Sequence, residues 1–210
     1  MILLIAAMQS EIDAITNNLT LKGTYPFKVY EGVYQNKNVL LIISGIGKTN
    51  ASSALSYMLT MHPKIKQIIN IGIVGGHKVD LYDAYIVSEA TYHDVDLTMF
   101  NYEYGQIPKY PTLYLTDTVL LKKLHNFKHT RLYTGDIFST KPIHQNPYIV
   151  DMEGASLYQV AHNFKYPILS VKVVSDVIGM PNQLKSYAKS EEKLAQDLSK
   201  VLNKVLEVLT

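Results

Sequence analysis

Six strand-length apolar runs recur along the chain with little alternation: 1–7 (MILLIAA), 38–43 (NVLLII), 67–73 (QIINIGI), 84–89 (AYIVSE), 130–134 (TRLYT) and 167–174 (PILSVKVV). A strand wetted on one face alternates polar with apolar residues, whereas one covered on both faces does not. Such runs need helices above and below them. Met8, Ile12, Ile15 and Leu19 mark a first stretch of helical period, and Ala51, Leu55 and Met58 a second. Val119, Leu120 and Leu124 mark a third, and Leu157, Val160, Ala161 and Phe164 a fourth. The clearest is the last, where Leu194, Leu198, Val201, Val205 and Leu209 step through 185–209. Strands alternating with helices predict a three-layer α/β fold, a central sheet flanked by helices. The run 26–34 (PFKVYEGVY), followed by Asn36-Lys37-Asn38, predicts a hairpin into 38–43, so the sheet is expected to be mixed.

At 210 residues and 47% hydrophobic, with no repeat or linker, the chain predicts a single domain over 1–210. The net charge of +2 is spread over single lysines, which leaves no footprint for nucleic acid or an anionic membrane and favours a small-molecule partner. The N-terminal apolar run meets acid at Glu11 and lacks a basic lead, so it reads as a buried first strand and not as a signal peptide or membrane span. The absence of cysteine excludes disulfides, thiolate metal sites and thiol nucleophiles, and suits a cytoplasmic location. Of 20 basic residues only Arg131 is an arginine, so one subunit supplies a single guanidinium fork for a phosphate or carboxylate. No HExxH occurs and His93-Asp94-x-Asp96 lacks a second nearby histidine; neither metal nor cofactor is expected.

Ligands of open α/β sheets gather at the carboxyl ends of the strands. The stretches Met8–Glu11, Ser44–Lys48, Gly72–Gly76, Gly135–Phe138, Asp151–Glu153 and Ser175–Asp176 fall there. "SGIGKTN" (44–50) is not a phosphate loop, because Ile42 occupies the position of its first glycine; a tight strand-to-helix turn is expected. The glycines of "NIGIVGG" (70–76) fit a backbone that approaches a ligand closely, or simply a turn. Singly, each acid has a structural reading: a helix-dipole partner for Glu11, a cap for Asp176, helix N-terminal acids for Asp151 and Glu153. Acids gathered at the strand ends of one sheet point instead to a site, and desolvation there prepares Asp176 to donate a proton. The long irregular stretch 92–113, rich in tyrosine and proline, is expected to be functional or to cover a neighbour.

"AAMQSEID" (6–13), "SGIGKTNAS" (44–52), "NIGIVGG" (70–76), "YHDVDLTMFNYEYGQIP" (92–108), "TGDIF" (134–138), "VDMEGAS" (150–156) and "VVSD" (173–176) together resemble the 5′-methylthioadenosine/S-adenosylhomocysteine nucleosidases of the purine nucleoside phosphorylase superfamily. The resemblance spans essentially the whole chain. It implies hydrolysis of the N-glycosidic bond of 5′-modified adenine nucleosides. In such enzymes the residue matching Asp176 protonates adenine at N7, and that matching Glu11 positions and deprotonates the attacking water; the first is expected protonated and the second ionised. Glu153 would grip the ribose hydroxyls, since a carboxylate accepts both protons of a cis-diol. Met152 would lie beneath the sugar and Phe138 would stack on the purine, with Met8, Ile73, Ser139, Lys172 and Ser175 completing the substrate-binding set. The resemblance further implies a homodimer with the 92–111 loop at the interface, so that Phe100, Tyr102 and Pro108 line the 5′ pocket of the partner.

Four positions depart from the family pattern. Ile73 stands where a serine is usual and Lys172 where an arginine commonly helps order water, so charge is kept there but not the planar fork. Asp151 replaces a frequent glutamate, and Ser139 an apolar residue beside the base. The segments 139–148 and 177–185 also look shorter than usual. Two alternatives therefore stay open: a phosphorylase using phosphate in place of water, and a weakly active or non-catalytic nucleoside-binding paralogue.

Overall fold

The computed structural model describes residues 1–181, 183–184 and 191–209. Its first half runs β1 (Ile2–Ala6), a short helix α1 (Asp13–Thr16), β2 (Leu19–Gly23), β3 (Lys28–Tyr34), β4 (Lys37–Ile43), α2 (Lys48–Met61) and β5 (Gln67–His77). The second half continues with β6 (Ala84–Tyr92), β7 (Tyr114–Leu115), α3 (Thr118–Lys123), β8 (His129–Thr134), β9 (Tyr148–Asp151), α4 (Gly154–Phe164), β10 (Ile168–Val177) and α5 (Glu191–Val208).

The unalternating strands are covered on both faces, as their composition demands. In β1, Leu3 and Ile5 face a core completed by Ala51, Leu55 and Met58 of α2 and by Leu157 and Ala161 of α4. Leu4 and Ala6, one residue out of phase, face the opposite core, where Leu194, Leu198, Leu202 and Val205 of α5 form the cover. Period two in the strand meets period 3.6 in the helices, which fixes three layers. Each fully buried leucine adds roughly 1.5–3 kcal/mol of hydrophobic stabilisation, so the α5 stripe is a principal anchor of its layer.

The sheet is mixed: β1–β4, β1–β5, β5–β10, β6–β8 and β8–β9 are parallel, while β2–β3, β3–β4, β5–β9, β6–β7 and β6–β10 are antiparallel. It is not open throughout. β10 pairs with both β5 and β6, so β5, β9, β8, β6 and β10 close into a ring. A bulge in β10 interrupts its register with β5 between Val174 and Asp176, leaving Ser175 as the extra residue. Bulges of this kind re-aim side chains.

The helix expected over 8–19 does not form. A single 3-10 turn (Gln9–Glu11) leads into α1, and Leu19 opens strand β2. The side chain of Glu11 turns back to accept the N–H groups of Ala7 and Met8 at 3.0 and 2.8 Å, which caps the turn locally. Asn17 and Asn18 then end α1, as residues that compete for backbone hydrogen bonds do. Strands β2, β7 and β9 are additions to the six predicted runs and the predicted hairpin strand 26–34. The predicted C-terminal helix is present as α5; its expected first residues, 185–190, lie outside the described residues, as do 182 and 185 of the segment 177–185.

Leu198→Ala empties a fully buried site on α5 and is expected to cost about 2–5 kcal/mol in chemical unfolding, against about 0.5 kcal/mol or less for the exposed Val208→Ala.

Candidate active site

The carboxyl ends of β1, β5, β9 and β10 converge on one cavity. Its walls include Met8, Glu11, Ile73, Phe138, Ser139, Met152, Glu153, Ser175 and Asp176, all singled out in the sequence. Glu11 and Asp176 therefore open into the same space. Ile46, Ile137, Val150 and Asp151 line it too.

Glu11 is 4% exposed. Besides Ala7 and Met8, its carboxylate accepts the N–H of Ile73 at 2.9 Å. Burial pushes its proton affinity above that of an ordinary glutamate, while the Ile73 N–H, the Lys172 ammonium and the Met8 and Ala7 amides pull the other way. Glycine is required beside it, because a Cβ at Gly72 would lie 2.9 Å from Glu11 Oε1 and 3.2 Å from Lys172 Nζ. Gly75 makes the corresponding room for Asp176, whose Oδ2 would stand 3.2 Å from an added Cβ. Two of the three glycines of "NIGIVGG" thus accommodate the protein's own acids, while Gly76 makes room for Cγ2 of Val79.

Asp176 is 1% exposed. The bulge puts both Ser175 and Asp176 on the cavity wall. Ser175 Oγ lies 2.7 Å from Asp176 Oδ1 and 3.0 Å from the Val74 carbonyl, and the amide of Gln183 donates to Asp176 Oδ2 at 2.7 Å.

Glu153 accepts the N–H of Gly47 at 2.9 Å, at the turn that starts α2. Gly45 and Gly47 both have positive φ, which lets "SGIGKTN" turn tightly from strand to helix. The adjacent Lys48 N–H is taken by Asp136 at 2.9 Å, and the Lys48 ammonium by Asp94 and Asp136. Both amides that open α2 are therefore filled by carboxylates. Burial lifts the Glu153 carboxyl to about 7, with Asp151 and Glu11 adding to the rise and Lys172 and the Gly47 N–H opposing it.

Lys172, 2% exposed, does not line the cavity; its ammonium pairs with Asp151 Oδ2 at 2.9 Å. Burial alone would favour the neutral amine, but Asp151, Glu153 and Glu11 outweigh it and hold the ammonium above the usual lysine range. Asp151 in turn accepts Thr134 Oγ1 at 2.6 Å and the N–H of Gly154 at 3.0 Å, which fixes the start of α4. The sequence predicts the turn at Gly47 but not its hydrogen bond to Glu153, and it singles out neither Thr134 nor Gln183 as a site residue, because a threonine and a lone glutamine are commonplace outside sites.

Phe100, Tyr102 and Pro108 lie on the loop between β6 and β7 and do not line the cavity of their own chain. Phe100 is 63% and the neighbouring Met99 82% exposed. The loop is nevertheless well defined: Gly105 donates to Val95 O at 2.9 Å, and Asp96 accepts from Thr98. Arg131 is held by Glu89 away from the cavity, at 2.7 Å through Nε. Among the described residues no cluster of His, Asp and Glu has the geometry to hold a metal ion.

The model of the phosphorylase superfamily matches residues 1–207. Curated 5′-methylthioadenosine/S-adenosylhomocysteine nucleosidases of Bacillus cereus (strain G9842) and Bacillus subtilis (strain 168) are each 31% identical to the chain. The first match covers 99% of both proteins, the second 97% of this chain and 96% of the relative. A crystal structure from Borrelia burgdorferi B31, described as a candidate nucleosidase of the same kind bound to adenine, superposes with a TM-score of 0.91 at 30% identity, covering 99% of this chain and all of that one. The chain belongs to the phosphorylase superfamily, within its 5′-methylthioadenosine/S-adenosylhomocysteine nucleosidase family.

Proposed function

We propose that this protein hydrolyses the N-glycosidic bond of 5′-modified adenine nucleosides, 5′-methylthioadenosine and S-adenosylhomocysteine, releasing adenine and the 5′-thioribose. The observation that carries hydrolysis over phosphorolysis is the charge of the cavity. Glu11, Asp151, Glu153 and Asp176 line it, and among the described residues no lysine or arginine does. A phosphate dianion entering beside these acids would meet repulsion with no facing cation, whereas water carries no such cost. The Bacillus relatives are nucleosidases by name and the Borrelia protein holds adenine, which supports the same substrate class here.

In this reading Asp176 delivers a proton to N7 as the C1′–N9 bond breaks, and the bonding pair leaves with neutral adenine. The sugar becomes oxocarbenium-like, water attacks C1′, and Glu11 takes the water's proton. A base with raised proton affinity suits that step, and three backbone N–H groups hold its carboxylate aimed. Glu153 accepts the ribose hydroxyls beside Met152, and Phe138 stacks on the base, a contact worth roughly 1–3 kcal/mol. Ile73 keeps its backbone N–H on Glu11 although its side chain offers the water no hydroxyl.

Two copies complete the site. The exposed Met99 and Phe100 form an apolar loop surface that fits the 5′ pocket of a second chain, with Tyr102 and Pro108. Among the described residues no helix is long and apolar enough to cross a membrane.

Asp176→Asn is expected to lower kcat for methylthioadenosine by about 10²–10⁴-fold with an unchanged melting curve, read from adenine release; near-normal turnover would exclude the acid role. Glu153 gives a pH test. Its folded value lies above the unfolded one of 4.5, so its contribution to stability is full below 4.5 and is lost as pH rises through about 7. Glu153→Gln should therefore melt above wild type at pH 8 and lose that advantage below pH 4.5, while KM for the nucleoside rises about tenfold or more. Sedimentation at assay concentrations is expected to give a dimer, and Phe100→Asp a monomer with raised KM for 5′-methylthio substrates.

A further inference from the structure

The carboxyl of Asp176 has two oxygens in different company. Oδ1 faces the Ser175 hydroxyl at 2.7 Å, and that hydroxyl also reaches the Val74 carbonyl at 3.0 Å. A hydroxyl has one hydrogen and accepts as well as donates. Ser175 therefore serves both states of the acid, donating to the carboxylate, or accepting from the protonated form while it donates to Val74. Oδ2 faces Gln183 Nε2 at 2.7 Å, a group that only donates.

The orientation of the Gln183 amide is set by its other partners. Nε2 also donates to the Ser139 carbonyl at 2.9 Å, and Oε1 accepts the Gly179 N–H at 3.3 Å. A flipped amide would set oxygen against the Ser139 carbonyl and N–H against N–H. Gln183 is itself buried, and it does not line the cavity. Its amide joins two walls of the base end: the acid on β10 and the strand-end segment Ile137–Ser139, which carries Phe138.

We propose that Gln183 is a positioning residue for proton delivery: it holds Oδ2 of Asp176 as a permanent acceptor, leaves the transferable hydrogen to Oδ1 beside Ser175, and ties the acid to the Ser139 wall of the base pocket. The inference rests on the nucleosidase reading of the cavity. Gln183 acts only through Asp176, so its removal should matter in proportion to how far the leaving group depends on a proton.

The test compares methylthioadenosine with a 5-methylthioriboside bearing 4-nitrophenolate, which departs without protonation. Gln183→Leu is expected to lower kcat for methylthioadenosine by about 10- to 100-fold with KM changed less than about threefold, and to leave nitrophenolate release within about threefold of wild type. Gln183→Glu keeps the shape and an acceptor for Gly179 but loses both donors, and should show the same selective loss. Retained nitrophenolate release certifies that each variant is folded with a working sugar site. Equal loss of both substrates in both variants, or no loss of either, overturns the role of Gln183 alone. Wild-type cleavage of the nitrophenyl riboside without any cleavage of methylthioadenosine overturns the adenine-nucleosidase reading and the Gln183 role with it.

Discussion

One buried ammonium among several buried acids governs the chemistry available to this cavity. Lys172 lies within the field of Asp151, Glu153 and Glu11, and its ion pair with Asp151 is removed from water on both sides. A buried charge without a partner costs several kcal/mol, so neither member of that pair is dispensable to the other. One cation does not neutralise three acids. The surplus negative charge adds to the burial that raises Glu153 toward neutrality, disfavours an anionic nucleophile and leaves room for a cation-like sugar in transit. Charge at the site is therefore a property of the cluster more than of any residue in it.

The architecture around this cluster follows from backbone proximity. β5 carries β10 along nearly its whole length and β9 at its carboxyl end, and Gly72 and Gly75 are what let carboxylates stand against it. Side-chain volume removed from one strand becomes space for functional groups on its neighbours. The "NIGIVGG" segment therefore serves the site while touching it mostly through absence.

Much of this was legible before any coordinates. Unalternating runs identified the covered strands, and the leucine period of α5 identified its helix, because hydrophobic periodicity is enforced by burial on two faces. Nine of the ten named within-chain site positions, Met8, Glu11, Ile73, Phe138, Ser139, Met152, Glu153, Ser175 and Asp176, line one cavity; the tenth, Lys172, lies behind it, paired with Asp151 at the wall. What escaped was tertiary. The stretch 8–19 has a helical period, yet the Glu11 carboxylate captures the amides around it, and Leu19 is recruited as the first residue of a strand beside β3. Ring closure depends on β10 pairing with two strands far away in the chain, which local periodicity does not encode. Gln183 and Thr134 act through hydrogen bonds to partners far away in the chain, which leave no local pattern to read.

The bulge at Ser175 adds a residue that the ladder does not count: Val174 pairs with Val74 and Asp176 with Gly75, so two consecutive side chains, Ser175 and Asp176, reach the cavity from one step of β5. Removing Ser175 would leave the acid opposite Gly75 and take away the hydroxyl on its Oδ1, so a change of length there alters what the carboxyl is bonded to before it alters where the carboxyl stands.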